Sequence, residues 1–186
     1  VVTHSIFINV NSSSSKGIIY SSGKSINVNY NIFLDVNNVA QASTVSKVNL
    51  DYNYWGTNEN PANVITTIAP NNWVIMTVSL SDIEAIEIDT TQAFIVDFKQ
   101  YTDGTANYTL ADTIPELIVS ASAINGALDQ SEIATVDNQA IFTYSANVAG
   151  DDTVTFSNAN IAIPVTFNVS LDPIGVIFVA KNGTAT

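Results

Sequence analysis

The chain lacks cysteine and arginine altogether, has one histidine, and sets five basic residues against seventeen acidic ones across 186 positions. Without cysteine there is no disulfide framework, no thiolate nucleophile and no thiolate zinc site. Without arginine, and at a net charge of −12, the chain has no planar two-point grip on phosphate, and its field repels nucleic acid and anionic membranes. Nucleic-acid binding is therefore excluded. His4 alone builds neither a metal site nor a catalytic triad. The N-terminal 71 residues hold only three carboxylates, Asp35, Asp51 and Glu59. A polysaccharide lyase needs a strong base, commonly arginine, and a glycoside hydrolase needs a positioned carboxylate pair, so no enzyme is expected here. No run approaches the roughly 18 apolar residues of a membrane span, and no signal peptide opens the chain. Neither a cofactor nor membrane insertion is expected, and Val1 enters the pattern in mid-coil, as an internal segment of a longer protein would.

What is present is a repeat. Ser25–Phe33, SINVNYNIF, lies over Lys47–Trp55, KVNLDYNYW, at a spacing of 22, and Val2–Val10 forms a weaker copy at a spacing of 26. Periods of this length mean stacked coils, each burying its inward side chains against the next. Alternation at Ile26, Val28 and Tyr30, and at Val48, Leu50 and Tyr52, marks half-buried strands whose inward set includes the tyrosines and, by register, His4. The recurring Asn29/Asp51 and Asn31/Asn53 are read either as side chains stacked at corners, each bonding the next coil's backbone, or as surface turn residues; only their shared register favours stacking. Residues 1–71 therefore read as the terminal coils of a right-handed parallel β-helix, ending after Trp55 at Gly56 and Pro61. Loops at 12–15 and 37–46 absorb differences in coil length and would present any binding surface.

From residue 72 the composition shifts from Asn and Ser to Val, Ile, Ala, Thr and Asp. Short alternating strands recur between turns, as in a β-sandwich of immunoglobulin size without its Cys and Trp signature. Strands are expected at Trp73–Leu80, Ala85–Ile88, Ala93–Lys99, Ile114–Ala121, Glu132–Val136, Ala140–Ser145, Thr153–Phe156 and Ile161–Val169. Turns are expected at Asp103-Gly104, Asn125-Gly126 and Ala149–Asp152. The sandwich is taken as residues 72–171. Residues 172–186 form a linker with one further strand, Val176–Ala180, either an added edge strand or the start of another domain.

Candidate functional residues are few. Tyr52, Tyr54, Trp55 and Trp73 cluster where the repeat ends; they either cover the open end of the solenoid or form a stacking platform for glycan. Asn11, Asn107, Asn168 and Asn182 each open an N-glycosylation sequon, and as a set they favour an extracellular protein. Ca²⁺ is a candidate ligand at Asp103 and at Asp151-Asp152, against a reading as solvated turns. Lys99, the lone lysine of the sandwich, is a candidate for a covalent cross-link with Asp97 or Glu132 as the acid, against a solvated lysine.

The phrase LDYNYWGTNENP, preceded by INVNYNIFLDV, resembles the close of the parallel β-helix in adhesin-like surface proteins of methanogenic archaea, in which an Ig-like domain of the bacterial Ig-like or invasin kind follows. Residues 72–170 look similar to that domain, and Gly175–Thr186 looks like the first strand of another β-helix. The resemblance implies a modular extracellular stalk or fibre that contacts other cell-surface proteins or glycans, with head-to-tail filament assembly as one use of Val176–Ala180. The alternative is a glycan-binding or polysaccharide-active β-helix protein with an Ig-like accessory domain.

Overall fold

The computed structural model describes residues 1–12, 17–37, 39–42, 48–63, 68–80 and 86–171. The expected loops at 12–15 and 37–46 lie partly outside these residues, and Val176–Ala180 and Asn182 wholly outside them. Among the described residues the chain is all strand and loop, with one 3₁₀ turn at Pro61–Asn63.

The N-terminal part winds through three strands per circuit. β1 (Val2–Thr3), β2 (Ile6–Ile8) and β3 (Ile19–Ser21) are followed by β4 (Ile26–Asn29), β5 (Ile32–Leu34) and β6 (Ala40–Ala42), then by β7 (Val48–Asn49) and β8 (Asn53–Tyr54). Like strands lie side by side and parallel: Val2 opposite Val28, Ile26 opposite Val48, Ile6 opposite Ile32, Ile32 opposite Tyr54, and Ile19 opposite Ala40. The two repeat copies are thus neighbours in one register.

Buried asparagines hold that register. Asn31 and Asn53 are both 0% exposed. Asn53 Oδ1 accepts from the backbone N–H of Asn31 at 2.8 Å and from its Nδ2 at 3.0 Å. Asn53 Nδ2 donates to Val28 O and Leu50 O, both at 2.6 Å. One circuit earlier, Asn31 Nδ2 donates to Val2 O at 3.0 Å and to Asn29 O at 2.9 Å, while its Oδ1 accepts from Ser5 N at 3.0 Å. The side chain supplies the ladder where the backbone turns away and would leave buried polar groups unpaired. The outer corner is stitched likewise: Asn29 Nδ2 donates to Asp51 O at 2.8 Å, and the Asp51 carboxylate accepts from Asn71 N at 2.7 Å and from Asn72 N at 3.1 Å. Phe7, Phe33 and Trp55 stack inside, with centroids 4.7 and 4.5 Å apart.

The alternation does not run through the corners. His4, Tyr30 and Tyr52 all adopt positive φ (52°, 59° and 63°), which turns their side chains outward just beyond the strand ends. They stack on one another as a half-exposed column, with centroids 6.0 and 5.9 Å apart. The expectation that these rings point inward is corrected for that reason; the His4 side chain is 45% exposed, with Nε2 3.6 Å from Asp112 Oδ2.

β9 (Trp73–Leu80) also departs from expectation. Its first residues continue the parallel ladder, with Asn53 opposite Trp73 and Tyr54 opposite Val74. The parallel ladder therefore runs one strand beyond the point where the sequence repeat ends. The rest of β9 pairs antiparallel with β11 (Thr91–Thr102). The boundary drawn after residue 71 falls within one mixed sheet that runs β2, β5, β8, β9, β11, β16 (Gln139–Ser145), β14 (Ala127–Leu128), with β12 (Asn107–Thr109) on the far part of β11. A bulge in β11 between Asp97 and Gln100 shifts the register, and the Asp97 carboxylate takes up the Lys99 N–H there. Such a bulge adds local twist where the sheet changes partners.

A second sheet, β10 (Ile86–Glu87), β18 (Ile161–Ser170), β17 (Gly150–Asn158), β13 (Ile118–Ala123) and β15 (Glu132–Ala134), packs against the first. Phe94, Val96, Phe98, Phe142 and Tyr144 meet Val119, Val154 and Phe156 in one core, which also takes in Ile32 and Tyr54 from the coils. A separate cluster of Val28, Phe33, Leu50, Trp55, Trp73 and Ile75 fills the coil interior. Adjacent residues of β5 and of β8 and its following loop thus feed two cores from opposite faces. The sandwich strands fall near where the alternation places them, although β11 runs on from Thr91 to Thr102 and β15 ends at Ala134, and three further corrections have local causes. β13 begins at Ile118, beyond Pro115, because proline cannot supply a ladder N–H; β17 begins at Gly150, inside an expected turn; and the two-residue and three-residue strands β14 and β12 are too short to leave a pattern.

Replacing Asn53 by alanine orphans two carbonyls and one N–H inside the coil, each worth about 1–3 kcal/mol. Asn53→Ala is therefore expected to lower unfolding free energy by about 3–5 kcal/mol, against about 1 kcal/mol for the outer-corner Asn29→Ala, as read by chemical denaturation.

Candidate functional site

The junction around β9 gathers the residues that the sequence singles out, and it sorts them differently. Tyr54 is 0% exposed and belongs to the sandwich core; its hydroxyl donates to Asn158 Oδ1 at 2.8 Å, and burial holds the phenol well above its ordinary pKa. Trp55 and Trp73, at 5% and 3% exposure, line the coil interior. Tyr52 alone is half exposed, stacked on Tyr30 and edge-on to Tyr101 at 4.8 Å. The glycan-platform reading of these four rings is corrected: three are buried, and the fourth, half-buried, stacks against Tyr30 and meets the edge of Tyr101. β9 adds a rung to one of the three parallel ladders at this end, and Trp55 and Trp73 lie buried beneath it.

The junction is tight where Gly56 passes. It has a φ of +67°, and a Cβ there would stand 2.9 Å from Leu34 Cδ2 and 3.1 Å from Ala159 Cβ. The tip of the β17–β18 hairpin thus rests on the last coil, and Tyr54 to Asn158 is the hydrogen bond that fastens it.

Beside Trp73 lies a cleft of about 390 Å³ lined by Asn58, Glu59, Asn60, Trp73, Ile75, Thr102, Gly104 and Asn107. Its walls are well anchored. Trp73 Nε1 donates to Asn58 O at 3.0 Å, while the Asn58 side chain mimics a strand partner, donating to Met76 O at 2.7 Å and accepting from Met76 N at 2.8 Å. On the opposite rim Thr102 Oγ1 donates to Ala106 O at 2.8 Å and accepts from Gly104 N at 3.0 Å. Sequence reasoning placed none of Asn58, Glu59 or Asn60 in a site. The only signal available was the polar GTNENP run directly after the repeat.

The carboxylates proposed for Ca²⁺ are engaged with the protein. Asp103 Oδ1 accepts from Thr105 N, Thr105 Oγ1 and Ala106 N at 2.7–2.9 Å, and these bonds, the Thr105 hydroxyl first, hold its carboxyl down at about 2. Asp151 Oδ1 accepts from Asn168 Nδ2 at 2.9 Å. Asp152 is 2% exposed and faces inward at one end of β17, as Asn158 does at the other. It accepts from Tyr144 Oη at 2.5 Å, Gly126 N at 2.7 Å, Thr153 N at 2.7 Å and Asn125 N at 3.0 Å. Burial alone would raise its pKa, but these four donors outweigh it and leave the carboxyl below its ordinary 3.8. Among the described residues no three His, Asp or Glu side chains gather as a metal-binding group.

Lys99 Nζ donates to Gln139 Oε1 at 2.7 Å, and Gln139 Nε2 donates to Asp97 Oδ2 at 2.9 Å. The amide beside the lysine is thus a glutamine's. Glu132 lies elsewhere, in the opposite sheet, near Ser120. Of the sequons, Asn107 is exposed on the short outer strand β12, Asn11 is exposed and bridges to Asn37, and exposed Asn168 is engaged by Asp151.

No family model matches the chain, and no curated protein matches it. Among solved structures the D0-D1 domain of Intimin is similar at 15% identity and a TM-score of 0.39, over 55% of this chain and 50% of that one. The chain spans about half of that structure's length, and a likeness this distant carries no argument.

The Asp152 contribution has a definite sign. A carboxyl with a depressed folded pKa stabilises above its unfolded value near 3.8 and loses that contribution as pH falls through the folded value. Acid unfolding is therefore expected to set in below about pH 4, and Asp152→Asn is expected to flatten this part of the stability curve while lowering stability at neutral pH, as measured by thermal melts across pH.

Proposed function

We propose that the chain is a structural and adhesive segment of an extracellular, modular cell-surface protein, a stalk or fibre, of the kind that the closing phrase LDYNYWGTNENP resembles. In this reading the three parallel ladders are the last coils of a right-handed parallel β-helix, and residues 72–171 are an Ig-like spacer. The segment does no chemistry. Its role is mechanical, with other cell-surface proteins or glycans as partners and the sequons at Asn11 and Asn168 as sites of surface modification.

The observation that supports this best is β9. A single strand is both the last parallel rung of the coils and a central strand of the sandwich, so load passes between the two parts through a hydrogen-bonded ladder and not through a linker. The core that joins Ile32 and Tyr54 to the sandwich removes the play that a flexible joint would have. Acidic charge on the exterior keeps such a rod soluble and apart from like surfaces.

Antibodies raised against residues 72–171 are expected to label intact cells that make the protein, and protease treatment of those cells should release the epitope. Labelling that appears only after lysis would overturn the proposal.

A further inference from the structure

We propose that the cleft beside Trp73 binds a neutral saccharide. At about 390 Å³ it falls within the roughly 300–1,000 Å³ range of small-molecule sites. Its geometry is set before any ligand arrives: Trp73 is fixed through its indole N–H to Asn58 O, and the 102–106 turn is closed by Thr102. Gly104 brings that turn against the ring, where a Cβ would stand 3.2 Å from Trp73 Cη2.

Three lining groups remain unspent. The Asn58 amide is consumed by Met76. Asn60 uses only its Oδ1, which accepts from Ala62 N at 2.9 Å. Among the described residues the Glu59 carboxylate, the Asn60 Nδ2 and the Asn107 amide have no protein partner. They offer an acceptor, a donor and a group that is both, from two separate segments around one cleft, which matches the donor and acceptor pairs of adjacent sugar hydroxyls.

Charge selects among sugars. The lining holds no cation and one carboxylate, and the chain carries −12, so uronates, sialates and phosphates are repelled. Because Trp73 is only 3% exposed, its ring is a wall and not a stacking face. Hydrogen bonds carry the recognition, and each adds only modestly to affinity. This deepens the surface-attachment proposal and rests on it only for the biological setting of the sugar.

Asn107 lies in a sequon, so the test uses protein made in a host without N-glycosylation. Ligand-observed NMR would be run with glucose, galactose, mannose and N-acetylglucosamine, with glucuronate and lysine amide as charged comparators. At least one neutral sugar should bind, weakened about tenfold by Glu59→Ala and by Asn107→Ala, as for one lost hydrogen bond, with thermal unfolding unchanged. Glu59→Gln, which keeps an acceptor, should retain sugar binding. The proposal is overturned if no neutral sugar binds, if both alanine variants bind at full strength, or if only lysine amide binds and Glu59→Gln abolishes it. Failure here leaves cell-surface labelling untouched, and failed labelling leaves this titration standing.

Discussion

The structure depends on a column of asparagine amides inside the coils. Short strands of two to four residues have too few backbone bonds to fix their register. Asn31 and Asn53 add buried bonds between circuits at sequence separations of 22 to 29 residues, and each amide is fully used. A slip by one residue would leave several donors and acceptors unpaired in a dry interior, where each costs far more than it would in water. The aromatic column of Phe7, Phe33 and Trp55 adds apolar contact but tolerates sliding. The amides supply the specificity.

A second constraint follows from β9. Because one face of the β5, β8, β9 ladder closes the coil interior and the other faces the sandwich, Phe33 and Trp55 serve one core while Ile32 and Tyr54 serve the other. The inward polar ends of β17 then fix the second sheet in place. Asn158 takes the Tyr54 hydroxyl and donates to Ile118 O at 2.7 Å, and Asp152 gathers Tyr144 and the 124–126 turn. The rigidity of this junction comes from these few satisfied polar groups as much as from apolar area.

Much of this was legible in the residues. The copies at a spacing of 22 state the register directly, and the shared register of Asn29/Asp51 and Asn31/Asn53 favours corner bonds over plain surface turns. The corners themselves were not legible, because a period-two reading carried through His4, Tyr30 and Tyr52 cannot see a residue of positive φ. The double role of β9 left a trace in the unbroken apolar run Trp73–Met76, buried on both faces, which fits a shared strand better than a half-exposed one. The cleft left almost none, since it is assembled from 58–60, 73–75 and 102–107, which only the folded sheet brings together.

Whether the two copies are parallel neighbours in this register can be read from cross-linking, because the chain has no cysteine of its own. Asn27 and Asn49 are exposed register partners. The double variant N27C/N49C should oxidise to an intramolecular disulfide without loss of stability, whereas N27C/D51C, offset by two residues and beyond the roughly 7 Å reach of a bridge, should not. A disulfide in the second pair and none in the first would contradict the account.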